Sequence, residues 1–178
     1  MKILSFQMII KKYLAPVLDA KKKGVFFDVG HGNRSFDFTI AENAISNGFM
    51  SDSISTDLHI FSFRNSFTNL TDIVVKFMAF EIPIYDLIKQ VTINPAHIIK
   101  RKDIGNLRPN TRADIFVFSV EEKENILVDC ANNKKRYNKH IVPHLTIKNG
   151  ICYEPEKLKK EVEMITNEIT HKKIYCQW

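Results

Sequence analysis

Cysteine, arginine and long apolar segments are scarce in this chain, and each shortage excludes a class of protein. The 178 residues include three cysteines, Cys130, Cys152 and Cys176, which are odd in number and form no Cys-x-x-Cys pair. This pattern argues against a disulfide framework and against a zinc ribbon. No uninterrupted apolar run approaches the ~20 residues that a membrane-spanning helix requires. With 44% hydrophobic residues, the chain is expected to be globular and to have no membrane partner.

The positive charge of the chain comes mainly from lysine and is concentrated near its beginning. Only six of the 26 basic residues are arginine, and residues 1–24 account for +5 of the net charge of +6. Because nucleic-acid interfaces gather basic residues on one face, this distribution gives them weak support, and no nucleic-acid partner is expected. The opening apolar stretch is interrupted by Gln7 and lacks a small-residue cleavage site, so we expect a cytoplasmic protein.

The first third of the chain predicts one strand–helix–strand unit. Val25–Val29 is a short apolar run, typical of a strand buried on both faces, a helical spacing of apolar residues follows over 38–48, and Ser53–Asp57 is a second short strand. Such a crossover gives parallel neighbours, so the loops after both strands meet at one edge of the sheet. His31 and Asp57 are therefore expected at the edge where α/β proteins carry their chemistry.

The rest of the chain predicts helices first and antiparallel strands later. Helices are expected at residues 7–20 and 73–78, after Pro83, and after an Asn94 cap that precedes Pro95. Residues 113–120 read as a strand, and 145–153 as a hairpin around an Asn149-Gly150 type I′ turn. The charged segment 121–140 is predicted to be a solvated loop, and Pro155 to open a final helix.

Four short blocks, in this order, resemble the amidohydrolase superfamily, and most closely its deacetylase and dihydroorotase-like branch. They are Phe27-Asp28-Val29-Gly30-His31-Gly32, Ile54-Ser55-Thr56-Asp57-Leu58-His59, Thr92-Ile93-Asn94-Pro95-Ala96, and Ile104-Gly105-Asn106-Leu107-Arg108-Pro109 leading to Ala113-Asp114-Ile115. The resemblance extends from about Tyr13 to about Tyr153. It departs from the family after Pro109, where glycine is usual and Asn110 stands here, which affects only a turn.

The resemblance implies an α/β fold, the C-terminal fragment of a (β/α)8 TIM barrel with about its last two strands, plus part of a small β-sandwich. We expect a partial barrel domain over residues 1–102, a partial β-sandwich module over 103–153 and a helical tail over 154–178. A closed barrel of this kind typically needs about 250 residues. The other strands are therefore expected on an N-terminal half that this chain does not include.

The resemblance also implies a metal centre to which this chain would contribute one ligand. The family's centre uses a His-x-His, a lysine, two further histidines and a last-strand aspartate, which Asp57 matches; no His-x-His occurs here. In the family this aspartate contacts a metal and carries a proton from the bridging hydroxide to the leaving group. A carboxylate beside divalent metals stays ionised within reach of the nucleophile, which suits that role. Without the family blocks, Asp57 would read as an ordinary capping or loop aspartate.

His31 and Gly32 are interpreted as substrate-binding residues beside the metal centre. Only one helix fits between His31 and Asp57, which places them on adjacent strands and argues against His31 as the sixth-strand metal ligand; that alternative stays open. Gly32 can also serve simply to permit a tight turn. The phenylalanines of residues 61–67 line a pocket or belong to a surface that another part of the protein covers.

These expectations lead to two main functional hypotheses and a weaker third. In the first, the chain is the C-terminal part of a metal-dependent amidohydrolase. It would cleave an amide or ester (N-acyl amino acid, D-aminoacyl or cyclic amide type) with a metal-bound hydroxide. A divalent metal, zinc by preference, would bind only when a complementing N-terminal half or self-association supplies the other ligands. In the second, the chain is a catalytically silent remnant or pseudoenzyme that acts as an association module. The third is a nucleic-acid-binding domain, which steeply salt-dependent binding would reveal.

Overall fold

The structure is a computed structural model that describes residues 6–32, 35–58, 69–155 and 160, with side chains from residue 14 onward. Helices dominate the first part of the chain and strands the last. The elements in chain order are α1 (Phe6–Lys22), β1 (Asp28–Gly30), α2 (Phe38–Ser46), β2 (Ser53–Ser55), α3 (Leu70–Met78), α4 (Ile84–Val91), α5 (Ile93–Ile98), β3 (Ile115–Val128), β4 (Lys134–Lys148) and β5 (Ile151–Tyr153). The fold is therefore of the mixed α/β class that the sequence predicts.

β1, α2 and β2 form the predicted strand–helix–strand unit. The two strands pair in parallel, with Asp28 opposite Ser53 and Gly30 opposite Ser55. Both strands are shorter than predicted, and the expectation that the first is buried on both faces is wrong. Val25 and Phe26 precede β1 and are 49% and 52% exposed, because β1 has only β2 as a strand neighbour within the described residues.

The hydrophobic core surrounds α3, which packs between the parallel unit and the antiparallel sheet. Asn69 caps this helix by accepting a hydrogen bond from the backbone N–H of Asp72 at 2.8 Å. Every residue from 73 to 78 is buried. The buried apolar cluster comprises Phe36, Phe38, Ile54, Ile73, Val74, Val75, Phe77, Met78, Leu87 and Ile141. Since this cluster draws on both sheets, the two parts share one core.

The prediction that Asn94 caps a helix is wrong. α5 begins at Ile93, after Thr92 at the cap position, so Asn94 lies inside the helix. Its amide Nδ2 instead donates to the backbone carbonyl of Asp52 at 2.9 Å, just before β2. A long-range contact has replaced the local one because the carbonyl at the sheet is within reach of the amide. Pro83 does precede α4 directly, as predicted.

The last three strands form one antiparallel sheet in the order β3–β4–β5. Asn149 and Gly150, with φ of 51° and 80°, form the two-residue turn between β4 and β5, as the type I′ prediction requires. The prediction of a solvated loop over 121–140 is wrong, because most of this segment forms the outer half of a long β3–β4 hairpin. Most of its polar side chains remain solvated, with Asp129 as an exception, while its backbone groups pair across the hairpin.

Several predictions fall partly or wholly outside the described residues. Pro155 and Lys160 are helical, but the rest of the predicted final helix lies outside the described residues, as do the phenylalanines of residues 61–67. Within the described part of the chain, no helix combines the length and the apolar character needed to cross a membrane.

Gly105→Ala should destabilise the chain by about 2–3 kcal/mol. Gly105 has a φ of 72°, and an added Cβ would lie 2.6 Å from the carbonyl oxygen of Thr92 and 2.9 Å from Cβ of Ala96. The obstacle is the backbone at the start of α5, which cannot yield without moving the helix. Urea denaturation followed by circular dichroism measures the loss.

Gly48→Ala is the matched control for this substitution. Gly48 has a similar φ of 80° but no neighbouring atom within 4 Å of an added Cβ. It therefore isolates the cost of the left-handed backbone, about 1 kcal/mol. Equal losses of stability in the two variants would show that the contact with α5 contributes nothing.

Candidate functional site

The loops after β1 and β2 meet at one edge of the parallel sheet. The backbone N–H of His31 donates to the Ser55 carbonyl and that of Gly32 to the Thr56 carbonyl, each at 3.0 Å, so strand-like pairing continues beyond the strands. Asp57 follows with a φ of 46°. A Cβ on Gly32, whose φ is 48°, would lie 2.8 Å from Oδ2 of Asp57. The structure thus brings His31, Gly32 and Asp57 together, and a side chain at position 32 would force this carboxylate to move as well as strain the backbone.

Asp57 is the exposed member of the group and the one suited to metal chemistry. The described residues contain no group of three or more His, Cys, Asp or Glu side chains that could hold a metal ion. A single carboxylate binds a divalent ion weakly, since such ions take several oxygen or nitrogen ligands. The described residues therefore group no three such side chains around Asp57, and its role as a metal ligand stays a prediction.

His31 is buried, with 7% of its surface exposed, and both of its ring nitrogens are engaged within the chain. Nδ1 lies 2.7 Å from the carbonyl oxygen of Gly32, and Nε2 lies 2.9 Å from Nζ of Lys76. The ring also stacks on Phe36, with 5.3 Å between centroids. In this arrangement both nitrogens contact groups of this chain, and the role of His31 in substrate binding stays a prediction.

Lys76 is the residue beside this site that sequence reasoning missed. It lies on α3 with 7% exposure, and its Nζ donates to the Val128 carbonyl at 2.6 Å and lies 5.6 Å from the centroid of the Phe36 ring. Burial lowers the pKa of Lys76, while the negative charges of Asp72 and Asp129 act in the opposite direction. The signal in the sequence was a single lysine inside an otherwise apolar stretch, residues 73–78.

The surroundings of His31 favour its uncharged form. Burial lowers the pKa of the His31 imidazole, the neighbouring Lys76 charge lowers it further, and the hydrogen bond with Gly32 opposes both effects. A buried cation next to a second cation would be strongly unfavourable, which is the physical reason for the direction. His31 is therefore neutral near pH 7.

The tip of the β3–β4 hairpin forms hydrogen bonds with the segment between the loop after β1 and the start of α2. Asp129 is buried and accepts four hydrogen bonds, all between 2.8 and 2.9 Å, from the backbone N–H groups of Phe38, Ala131 and Asn133 and from the Asn133 side chain. The backbone N–H of Cys130 donates to the Phe36 carbonyl at 2.9 Å. Sequence reasoning also missed Asp129, since it read this segment as a loop.

An apolar surface lies along β1 and α2, next to the edge. A cavity of about 280 Å³ there is lined mainly by Val29, Phe36, Ile40, Ala41 and Phe77. Ile40 is 68% exposed. Phe36 and Phe77 are buried at this cavity, so Ile40 is the named lining residue that presents most of its apolar side chain to a partner.

Comparison with known proteins identifies the family of this chain. The family model for the amidohydrolase family matches residues 9–158, most of the chain. The chain belongs to the amidohydrolase family. Among its curated relatives, a deacetylase from Brucella anthropi is 33% identical over 125 residues, which are 70% of this chain and 31% of the relative. A deacetylase from Enterococcus faecalis is 33% identical over 138 residues, 76% of this chain and 37% of that protein.

Solved structures of the family show the same likeness. A crystal structure of an adenine deaminase superposes with a TM-score of 0.73 at 32% identity, covering 77% of this chain and 38% of the other. A crystal structure of a dihydroorotase gives a TM-score of 0.69 at 28% identity, covering 80% of this chain and 39% of the other. This amidohydrolase-family chain thus spans about a third of the length of the curated relatives it matches.

Proposed function

We propose that this chain is the C-terminal part of a metal-dependent amidohydrolase that hydrolyses an amide or ester bond. The observation that carries the proposal is the position of Asp57, exposed beside Gly32 at the edge where both parallel strands end. In this proposal β1, α2 and β2 belong to the end of a (β/α)8 barrel, and the β3–β5 sheet to a small sandwich beside it. Family membership and the superposition on two family structures support both statements.

Asp57 would be the catalytic residue and one of the metal ligands. Its carboxylate stands exposed at the strand edge, where it can accept a proton from the nucleophile and deliver it to the leaving group. A divalent metal, zinc in this proposal, would supply Lewis-acid chemistry once the remaining ligands come from outside this chain. Gly32 would keep the wall beside the carboxylate free of side-chain atoms, and His31 would form the base of the substrate pocket.

The substrate class in this proposal follows the curated relatives, which are deacetylases. An N-acyl amino acid is the first choice, with D-aminoacyl and cyclic amide compounds as the other members of the class. The partner would be a complementing N-terminal half that covers the apolar surface along β1 and α2, and the working location would be the cytoplasm.

Complementation tests the proposal. We would co-express this chain with the part of the Enterococcus faecalis deacetylase that it does not match, purify the complex, and measure its metal content and its hydrolysis of N-acetylated amino acids and simple esters. We expect a stable complex that retains zinc and turns over substrate, whereas this chain alone does neither. A complex without bound metal and without turnover would contradict the proposal.

The second candidate function is that of a catalytically silent association module. It is favoured by the described residues, which contain no group of three or more His, Cys, Asp or Glu side chains that could hold a metal ion. The same experiment separates the two, since a silent module would form the complex through its apolar surface and leave the complex inactive.

A further inference from the structure

We propose that Lys76 is a positioning residue for the candidate site: through the imidazole of His31 it fixes the backbone of Gly32, against which the Asp57 carboxylate lies. The consequence for catalysis rests on the proposed function. The structural part of the inference concerns only residues of this chain and is measurable without any turnover.

The two neighbours of the His31 ring determine where its proton lies. The carbonyl oxygen of Gly32, 2.7 Å from Nδ1, can only accept, so Nδ1 must carry a hydrogen. The Lys76 ammonium, 2.9 Å from Nε2, can only donate, so Nε2 must present its lone pair. Together they select the neutral Nδ1–H tautomer. Removal of the ammonium would leave Nε2 without a donor, and the ring would be free to change its tautomer, its charge or its orientation.

The hydrogen bond from His31 acts on the most constrained residue of the edge. Gly32 combines a left-handed backbone with an N–H bond to the Thr56 carbonyl, one residue before Asp57. Its Cα faces the Asp57 carboxylate so closely that an added Cβ would come within 2.8 Å of Oδ2. The Gly32 carbonyl that the His31 ring contacts therefore belongs to the residue that borders the carboxylate, and a shift of Gly32 would change the space available to Asp57.

Lys76 is itself fixed by groups outside the edge. Its Nζ donates to the Val128 carbonyl at the base of the hairpin tip and lies over the Phe36 ring. Asp72 on its own helix and Asp129 and Cys130 at the hairpin tip are the titratable groups that act on it, in addition to His31. A buried ammonium that loses a hydrogen-bond acceptor pays the free energy of desolvation without compensation. This penalty keeps Lys76 in contact with His31.

Long-range ¹⁵N–¹H correlation spectra of histidine-labelled chain at pH 7 test the inference. In the unsubstituted chain we expect His31 to show the Nδ1–H tautomer alone. Lys76→Met keeps the length of the side chain and removes the donor, and in it we expect a shift to Nε2–H or to a mixture, with changed backbone amide shifts at Gly32 and Asp57. Lys89→Met is the control, because Lys89 is a surface lysine paired with Asp86, and its spectrum should match that of the unsubstituted chain.

The His31 tautomer in the unsubstituted chain is a test by itself, so the outcome is decided even if the Lys76→Met variant fails to fold. An Nε2–H tautomer or a charged imidazole in that chain would contradict the inference, as would a folded Lys76→Met variant with unchanged His31, Gly32 and Asp57 signals. In the complemented enzyme, Lys76→Met should lower kcat about 10- to 100-fold with little change in KM. If the complemented enzyme has no turnover, the proposed function fails while the spectra still decide this inference.

Discussion

Asp57→Asn should lower the kcat of the complemented enzyme by about 10²- to 10⁴-fold, the range typical of a lost general acid–base group. The amide has nearly the shape of the carboxylate but cannot take up a proton at neutral pH. Because Asp57 is exposed, the fold should not depend on its charge, and the urea midpoint of the isolated chain should stay unchanged. Turnover of an N-acetylated amino acid, measured together with the zinc content, gives the effect.

The zinc measurement separates the two roles proposed for Asp57. Loss of activity with full metal content indicates the proton-transfer role, and loss of both indicates the ligand role. Asp86→Asn is the control, since Asp86 is an exposed carboxylate on α4 whose ion pair is with Lys89, and it should retain full activity. An Asp57→Asn enzyme with unaltered kcat would remove Asp57 from the mechanism.

Asp129→Ala should cost about 3–5 kcal/mol of stability, the largest loss that we expect from a single polar side chain here. The substitution removes the acceptor of four donors: the backbone N–H of Phe38 loses a buried hydrogen bond, and the three donors at the hairpin tip lose partly buried ones. Hydrogen bonds to a charged group are also stronger than those between neutral groups. Urea denaturation measures the loss, and proteolysis at the hairpin should become faster.

The free energy of unfolding measured at acidic pH gives a second test of the Asp129 carboxylate. Burial alone would raise the pKa of Asp129, but the hydrogen bonds from Phe38, Asn133 and Ala131 outweigh it and hold the pKa below its ordinary value. A lowered pKa in the folded state means that its stabilisation is complete above the unfolded-state pKa and is lost as the pH falls through the folded-state pKa. Asp129→Ala should therefore flatten the fall in stability below about pH 4.

Asp114→Ala is the control for both measurements. Asp114 also accepts hydrogen bonds, from Lys148 and the backbone of Asn149, but it lies at the exposed end of the sheet. We expect a loss of about 1 kcal/mol there, as is usual for a partly solvated carboxylate. Equal losses for Asp114 and Asp129 would show that the hairpin tip has no special part in stability.

The sequence predicted those parts of the fold that depend on local pattern. The strand–helix–strand unit and the Asn149-Gly150 turn followed from periodicity and from the backbone needs of a type I′ turn. The first and last residues of the strands could not be predicted from periodicity, because they depend on the strand with which each one pairs. The outer half of the β3–β4 hairpin was missed because its charged side chains suggest a loop, whereas its backbone pairing is set by the partner strand.

In the candidate site, too, the features set by local chain order could be predicted and the long-range contacts could not. His31 and Asp57 could be placed at one edge because each follows a strand of a parallel pair, an inference from chain order alone. Lys76 could not be linked to His31, 45 residues away, nor Asp129 to Phe38, 91 residues away, since no periodic pattern encodes such contacts. Both missed residues are buried and polar, and their partners are chosen by tertiary packing.

The hydrogen bond between Asp129 and the start of α2 also has a consequence for the order of folding. The backbone N–H of Phe38 is satisfied by a carboxylate that is synthesised 91 residues later. A growing chain folds from its N-terminal end as it emerges, and distant contacts form slowly because a long loop must close first. The first turn of α2 therefore reaches its final form only after the hairpin tip has left the ribosome, and until then the N–H of Phe38 lacks its distant acceptor.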